Sequence, residues 1–176
     1  TEGEMPLRLW NAYSGDKENE EASREIAIGR LNETDTITNR AIKYYMDGAL
    51  GSRGALLIEP YSDRPDTRGL SLLSPEDLTE AMAAADEGGY QLAVHAIGDL
   101  GNRRLIDGAI EGGYGSEHRW RIEHTQILNP ADIPRMAESG LIASMQPSHA
   151  IGDLHFAPAR LGMDRLQGAY AWQSLL

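Results

Sequence analysis

The stretch Tyr90-Gln91-Leu92-Ala93-Val94-His95-Ala96-Ile97-Gly98-Asp99 decides the fold of this chain. A short apolar run ends in a histidine, and a Gly-Asp turn and a helical pattern follow it. Apolar runs of this length are typical of strands that are covered on both faces of a parallel sheet. We therefore predict a buried parallel strand that delivers His95 to the edge of an α/β sheet.

The same layout recurs on both sides of this stretch. Upstream, Lys43 lies inside a strand-like apolar run, and downstream another run ends at His124. Two further candidate strands cover 141–146 and, with weaker support from length and composition, 6–10. One lysine and two histidines therefore fall on three successive predicted strands.

Helices are predicted between these runs. The segment Ser74-Pro75-Glu76-Asp77 combines an N-cap serine, a proline at the first helical position and two acids in the first turn, and Gly88-Gly89 ends that helix. The remaining predictions are a helix over 102–110, a helix over 129–140, an exposed charged helix over 14–30 and a polar lid or binding loop over 59–69.

The alternation of strands and helices predicts parallel strands joined by right-handed crossovers. An open doubly wound sheet and a (β/α)8 barrel of TIM type both fit this order. Polar residues at the C-terminal ends of several successive strands favour the barrel, because a barrel builds its site from those ends and an open sheet concentrates its site at one switch point. The glycine-rich phosphate-binding sequences of the open-sheet class are absent.

Composition narrows the classes of function. With 176 residues, 41% of them hydrophobic, the chain can bury one sizeable core. Its formal net charge of −11 argues against nucleic acid as a partner, and the absence of cysteine excludes disulfides, cysteine-bound zinc and thiol catalysis. No apolar run approaches the ~18 residues that cross a bilayer, and the start has no leader pattern, so we expect a cytoplasmic protein with no membrane partner. Both termini are expected to be truncated.

Lys43, His95 and His124 carry the candidate chemistry. A lysine within an apolar strand is costly as a buried ammonium, so it must shift its pKa, pair with a carboxylate or be modified. If CO2 carbamylates it, Lys43 becomes an anionic oxygen ligand, and with two imidazoles it would suit zinc or a similar divalent ion. The alternative is that Lys43 pairs with Asp47 and both histidines are hydrogen-bonded core residues.

Four segments together resemble the amidohydrolase superfamily. They are 43–53, 94–99, 121–126 and 144–150, and they occur in the family's order. More narrowly, these segments look like the branch of metal-dependent hydrolases that includes N-substituted formamide deformylase. The resemblance covers nearly the whole chain from Lys43 onward.

The resemblance implies a (β/α)8 barrel in which Lys43 is the carboxylated lysine of strand 4 and His95 and His124 are the metal ligands of strands 5 and 6. The family's strand 1 His-x-His pair and its strand 8 aspartate have no counterpart here. We therefore expect residues 1–176 to be the central part of one (β/α)8 metal-dependent hydrolase domain, roughly strands 3 to 7, with no catalytic proton carrier of its own. In isolation, the chain should bind metal weakly, keep Lys43 as an unmodified amine and turn over no amide.

Five further residues follow the predicted strands and are expected to orient a metal ligand or to contact substrate: Asp47, Gly48, Asp99, Gln146 and His149. For Asp47 and Asp99 the alternative is that each caps the next turn. The substrate-facing position of Gln146 and His149 is implied by the resemblance. His118 and His155 are predicted to lie at the surface.

The predicted function is hydrolysis of a carbon-nitrogen bond, in an amide or cyclic amide, by a hydroxide that the metal activates. Two alternatives remain: a non-catalytic binding or regulatory module on a barrel scaffold, and a lyase that uses Lys43 as a Schiff-base amine. The expected partners are a small amide-type substrate and a second copy of the chain. The strand faces near Leu92, Val94, Ile122 and Ile142 are expected to be buried in that self-association or under refolded loops.

Overall fold

A computed structural model describes residues 7–15, 29–30 and 36–176. The strands are β1 (Leu9–Ser14), β2 (Gly29–Arg30), β3 (Ile37–Tyr45), β4 (Gln91–Ala96), β5 (Arg121–His124) and β6 (Ile142–Ser144). The helices are α1 (Pro75–Gly88), α2 (Asp99–Gly112), α3 (Ile133–Ser139), α4 (Ser148–Asp153), α5 (Ala157–Leu161) and α6 (Trp172–Leu175). Short 3₁₀ turns cover Ser116–His118, Pro130–Asp132 and Asp164–Gly168.

The strands of the sheet follow one another in chain order, β1-β3-β4-β5-β6, and each of these pairs is parallel. A doubly wound sheet would reverse its strand order at a switch point, whereas the strands of a barrel keep chain order. The predicted α/β fold, an incomplete (β/α) barrel of TIM type, is confirmed. One strand departs from it, because β2 pairs antiparallel with the start of β3.

The capping signals placed the first helix correctly. The Ser74 hydroxyl oxygen accepts a hydrogen bond from the backbone N–H of Asp77 at 3.0 Å, and Pro75 is the first helical residue. Gly89 ends the helix in a left-handed conformation with φ of 68°. Residues with a side chain rarely adopt this φ, so the helix ends at the glycine.

Other predicted limits shift by a few residues. The strand predicted over 6–10 is β1, the helix predicted over 102–110 is the longer α2, and the helix over 129–140 divides into the 130–132 turn and α3. The strand over 141–146 shortens to β6. The charged helix predicted over 14–30 lies mostly outside the described residues, but its two ends are wrong, because Ser14 belongs to β1 and 29–30 forms β2.

The two faces of the sheet differ in chemistry. Leu92, Val94 and Ile122 belong to the main apolar core, which packs beneath the helices. Side chains alternate along a strand, so Lys43 and His95, which alternate with core positions, point to the opposite face, the interior of the barrel arc.

This arrangement corrects the surface predicted for self-association. Leu92, Val94 and Ile122 are at most 1% exposed, because the chain's own helices cover them. Of the four residues named for that surface, Ile142 alone is exposed, at 38%.

The loop predicted as a lid is held firmly to the rest of the chain. The Tyr61 hydroxyl donates to the Ala55 carbonyl at 2.8 Å, and Tyr61 packs in a second apolar cluster with Leu161 of α5. The Arg165 guanidinium donates to the carbonyls of Glu59 and Pro60. Within the described part of the chain, no helix has the length and apolar character that a bilayer crossing requires.

Candidate functional site

Strand register places the candidate residues near one edge of the sheet. His95 lies opposite Tyr45 of β3 and Glu123 of β5, and Glu123 lies opposite Ser144 of β6. Lys43 is two residues before Tyr45 on the same strand, so it shares the interior face one row lower. These residues form the wall of the barrel interior near the C-terminal ends of the strands.

Lys43 is half-buried on this wall without a carboxylate partner. Among the described residues no acid lies within ion-pair distance of its ammonium, and its Nζ is 4.8 Å from the centroid of the Tyr45 ring. Burial lowers the pKa of Lys43, Glu123 opposes this effect and Arg121 adds to it. The pairing of Lys43 with Asp47, the alternative from the sequence, is therefore wrong.

The Asp47 carboxylate is committed to backbone amides. It is 1% exposed and accepts hydrogen bonds from the N–H groups of Leu56, Ile97 and Gly98 at 2.8 to 3.0 Å. Those amides belong to the loop after β3 and to the turn after β4. Asp47 therefore clamps the two segments that leave the site.

His95 stands beside this clamp with an unused nitrogen. Its Nε2 is 3.4 Å from Asp47 Oδ1, but the geometry is not that of a hydrogen bond, and Nε2 is buried without a partner. Buried imidazole nitrogens are ordinarily bonded, so an open one calls for an explanation such as an absent ion or water. The alternative of a hydrogen-bonded core histidine does not hold for this nitrogen.

His124 reaches the site because the backbone leaves the strand there. Strict alternation would put His124 on the helix-facing side with Ile122, since Glu123 faces the interior. Instead, His124 has φ of 81° and Thr125 has φ of 43°, and the His124 ring lies 4.7 Å from the His95 ring in an edge-on arrangement. Such values are strained for residues that carry a side chain, and strain of this kind concentrates at functional sites.

The protonation of His124 follows from its neighbours. Burial lowers its pKa, and the nearby His95, His149 and Lys43 lower it further, against the effect of Gln146. The Gln146 amide nitrogen donates to the Ser144 carbonyl, so its Oε1 faces His124 Nδ1 at 2.6 Å and accepts the Nδ1 proton. The lowered pKa favours the neutral imidazole, and no residue in the described part of the chain bonds to Nε2 of His124, which suits a metal ligand.

Four rings run in series along this edge. The centroid distances are 5.6 Å from Tyr45 to His95, 4.7 Å from His95 to His124 and 5.3 Å from His124 to His149. The site thus joins β3, β4, β5 and the start of α4 through direct side-chain contact. His149, predicted to face substrate, lies against the predicted ligand His124.

Sequence reasoning missed Glu123 and Tyr45. Glu123 accepts hydrogen bonds from Arg121 Nε at 2.9 Å and from the Ser144 hydroxyl at 2.6 Å. Burial raises the pKa of Glu123, but these two bonds and the positive charges outweigh it and lower the pKa. The period of two along β4 and β5 could have found it, since Glu123 alternates with Ile122 and so shares the face of His95.

The other predicted residues have structural contacts. The Asp99 carboxylate accepts hydrogen bonds from the N–H groups of Ile58 and Leu100, which matches the alternative that Asp99 caps a turn. Burial raises the pKa of Asp99. A side chain at Gly48 would meet the Gly54 backbone at 3.1 Å, so Gly48 allows a close backbone approach. His155 is exposed as predicted, whereas His118 is half-buried and bonded to Asp86.

The donor set fits a divalent ion in part. In the described ranges, no three His, Asp or Glu side chains converge as a metal site. His95 and His124 nevertheless each present an open nitrogen of the type that zinc and similar ions prefer. Carbamylated Lys43 would be the third ligand on the same wall, and catalytic zinc sites use three protein ligands.

Comparison with known proteins gives the family. A model described as the amidohydrolase family matches residues 1–176. This chain belongs to the amidohydrolase family. Among the curated relatives, the protein LONG AFTER FAR-RED 3 of Arabidopsis thaliana is 39% identical over 139 residues, which are 77% of this chain and 24% of that protein. YtcJ of Bacillus subtilis is 37% identical over 136 residues, which are 77% of this chain and 26% of that protein.

A solved structure agrees with the amidohydrolase assignment. An uncharacterized metal-dependent hydrolase from Pyrococcus furiosus matches 99% of this chain and 36% of its own chain, with a TM-score of 0.86 and 29% identity. The chain thus spans about a quarter of the length of the curated relatives and about a third of the solved structure.

Proposed function

We propose that the chain is the middle part of one (β/α)8 metal-dependent hydrolase domain that cleaves carbon-nitrogen bonds in amides or cyclic amides, in the branch that includes N-substituted formamide deformylase. The observation that carries the proposal is the buried, unbonded Nε2 of His95 beside the open Nε2 of His124. The structural match to a metal-dependent hydrolase from Pyrococcus furiosus also supports the proposal.

His95, His124 and a carbamylated Lys43 would hold the ion, with zinc as the best match to their chemistry. When bound, a divalent ion supplies polarisation of the substrate carbonyl and activation of a water molecule. The chain's own residues fix the donors: Gln146 keeps the proton on Nδ1 of His124, and Asp47 holds the turn that follows His95. Loss of such an orienting contact typically weakens metal binding by about 10–100-fold.

Metal titration tests the histidines. We expect zinc to bind the 176-residue chain weakly, and we expect His95→Gln and His124→Gln each to weaken binding by more than the roughly tenfold effect of losing an orienting contact. His155→Gln is the matched control, because His155 is exposed and lies outside the cluster. Calorimetry that gives equal affinities for all four proteins would refute the proposed ligands.

A separate measurement tests Lys43. In ¹³C-bicarbonate with zinc, the complete (β/α)8 domain proposed above should show a carbamate carbon signal that is absent from its Lys43→Gln variant, and residues 1–176 alone should show none. The lowered pKa of Lys43 favours carbamylation, because only the neutral amine attacks CO2. A signal that persists in Lys43→Gln would assign the carbamate to another amine.

The same lowered pKa supports a second candidate function, a lyase in which neutral Lys43 attacks a carbonyl substrate and forms a Schiff base. Borohydride reduction in the presence of a carbonyl compound distinguishes the two. Mass increase at Lys43 in the absence of metal would favour the lyase, and no adduct would favour the hydrolase.

A further inference from the structure

A cavity of about 720 Å³ lies at the N-terminal edge of the sheet, opposite the edge that carries Lys43 and the histidines. Its wall comes from the starts of β1, β3, β4 and β5, the end of α1 and the turn before β5. Its volume falls within the ~300–1,000 Å³ of typical small-molecule sites. The residues that matter for its chemistry are Trp10, Arg40, Asp86, His118, Arg119 and Arg121.

Three arginines give this cavity, which we call the arginine cavity, its charge. In a chain of net charge −11, they face the space together with two acids, Asp86 and Glu117. The guanidinium groups of Arg40 and Arg119 have no hydrogen bond or ion pair in the described part of the chain. Two arginine forks therefore remain available to a ligand.

Arg121 is already oriented by the protein. Its Nε donates to Glu123 at 2.9 Å, and its guanidinium lies 4.3 Å from the centroid of the Trp10 ring. Trp10 is itself 39% exposed. The stacked Arg121 and Trp10 side chains therefore place a positive charge and an aromatic ring side by side in the wall of the arginine cavity.

The opposite wall is also fixed. His118 bonds to Asp86 at 2.9 Å, and its Nδ1 lies 3.5 Å from the carboxylate of Glu117, so both acids face this imidazole. Its ring packs 4.9 Å from the buried Trp120 ring. Arg119 follows with φ of 53°, a strained value for a residue with a side chain. The Arg119 side chain nevertheless has no partner among the residues that the structure describes.

We propose that the arginine cavity binds a small anion that carries a flat ring, of the aromatic carboxylate class. Arginine recognises a carboxylate through two parallel hydrogen bonds, and Arg40 and Arg119 supply the open donors. The half-exposed Trp10 supplies the surface for the ring. This site lies at the edge opposite the histidines and is joined to the Lys43 wall through the Arg121–Glu123 bond, but it does not depend on the proposed hydrolase function.

The probes are benzoate, benzamide and acetate, titrated separately into the 176-residue chain while the indole N–H signal of Trp10 is followed by NMR. The Trp10→Phe variant assigns that signal. We expect benzoate to shift it saturably, and benzamide, which lacks the charge, and acetate, which lacks the ring, each to bind at least about tenfold more weakly. Equal binding of benzoate and benzamide, or no saturable shift with benzoate, would overturn the proposal.

The variants Arg40→Gln and Arg119→Gln locate the anion. Each should weaken benzoate binding about tenfold, since each removes one charge-assisted contact. Arg68→Gln is the matched control, because it removes the same charge from an exposed arginine outside the cavity, and it should leave the affinity unchanged. Unaltered spectra elsewhere verify the fold of each variant. Affinity that falls equally in all three variants would indicate nonspecific attraction and contradict the site.

Discussion

A histidine stands at either end of β5, and the two have opposite environments. His118, in the turn before the strand, contacts acceptors: the Asp86 carboxylate at 2.9 Å and the Gly115 carbonyl at 3.1 Å. Burial lowers its pKa, but these contacts outweigh burial and raise it. His124, the last residue of the strand, lies among two histidines and Lys43, and its pKa falls.

The difference shows that neighbours decide the role of a histidine. At the N-terminal edge, His118 links the turn before β5 to Asp86 of α1, and its raised pKa favours the protonated, positively charged ring. At the C-terminal edge, His124 is kept neutral and open on one nitrogen, as a metal ligand must be.

The largest expected effect comes from removing the packing that both edges share. Ile122 lies between the two histidines and is fully buried in the main core. We expect Ile122→Ala to reduce the free energy of unfolding by about 3 kcal/mol, from lost burial and a cavity. Ile142→Ala on the neighbouring strand is the control, and its cost should be about 1 kcal/mol or less because Ile142 is 38% exposed. Equal shifts of the urea midpoint in the two variants would show that the buried Ile122 on β5 stabilises the fold no more than the exposed Ile142 does.

The second prediction compares the stability lost when one acid at each edge of the sheet, Asp47 or Asp86, is changed to asparagine. Asp47→Asn should cost about 2 kcal/mol, since Oδ2 of the buried carboxylate accepts two backbone N–H bonds and an amide group can replace only part of the set. Asp86→Asn should cost less than about 1 kcal/mol, because Asp86 is 53% exposed in its pair with His118. Urea unfolding at pH 7 compares the two, and a larger loss in Asp86→Asn would reverse the proposed ranking.

The third effect is on pH dependence. The folded pKa of His118 is raised above 6.5, so its contribution to stability is complete below pH 6.5 and is lost as the pH rises through the folded value. The folded pKa of His124 is lowered, so its contribution is complete above pH 6.5 and is lost as the pH falls toward the folded value.

NMR titration of the two rings measures this directly. His118 should titrate above 6.5 and His124 below it. In Asp86→Asn, the pKa of His118 should fall while that of His124 stays unchanged. If both rings moved together in this variant, the two edges would not be electrostatically independent.

The smallest effect concerns the tautomer of His124. Gln146→Leu removes the acceptor of the Nδ1 proton and should cost about 0.5–1 kcal/mol, because the site is only half-buried. The ¹⁵N shifts of His124 should then move toward a mixture of tautomers. Gln146→Glu keeps an acceptor, so it should retain the Nδ1–H form. Unchanged shifts in Gln146→Leu would mean that another contact sets the tautomer.

Local sequence determined most of the framework. Ser74, Pro75 and Gly89 set the limits of α1 through backbone bonds within a few residues, and apolar runs marked the strands that carry Lys43, His95 and His124. The order of strands and helices predicted parallel strands joined by right-handed crossovers. Polar residues at the ends of several successive strands then favoured a barrel over an open sheet.

Only the tertiary structure decided how the edges are built. The left-handed backbone at His124 brings its ring to His95 of the neighbouring strand. The amides of Ile97 and Gly98 on Asp47 and the stacking of Arg121 on Trp10 also join segments distant in sequence. Local propensity cannot predict them, because His124 by alternation belongs to the helix-facing side and Asp47 could equally have paired with Lys43. The sequence alone therefore predicts which residues lie near each edge of the sheet. The contacts that their side chains make there depend on how the strands and loops pack.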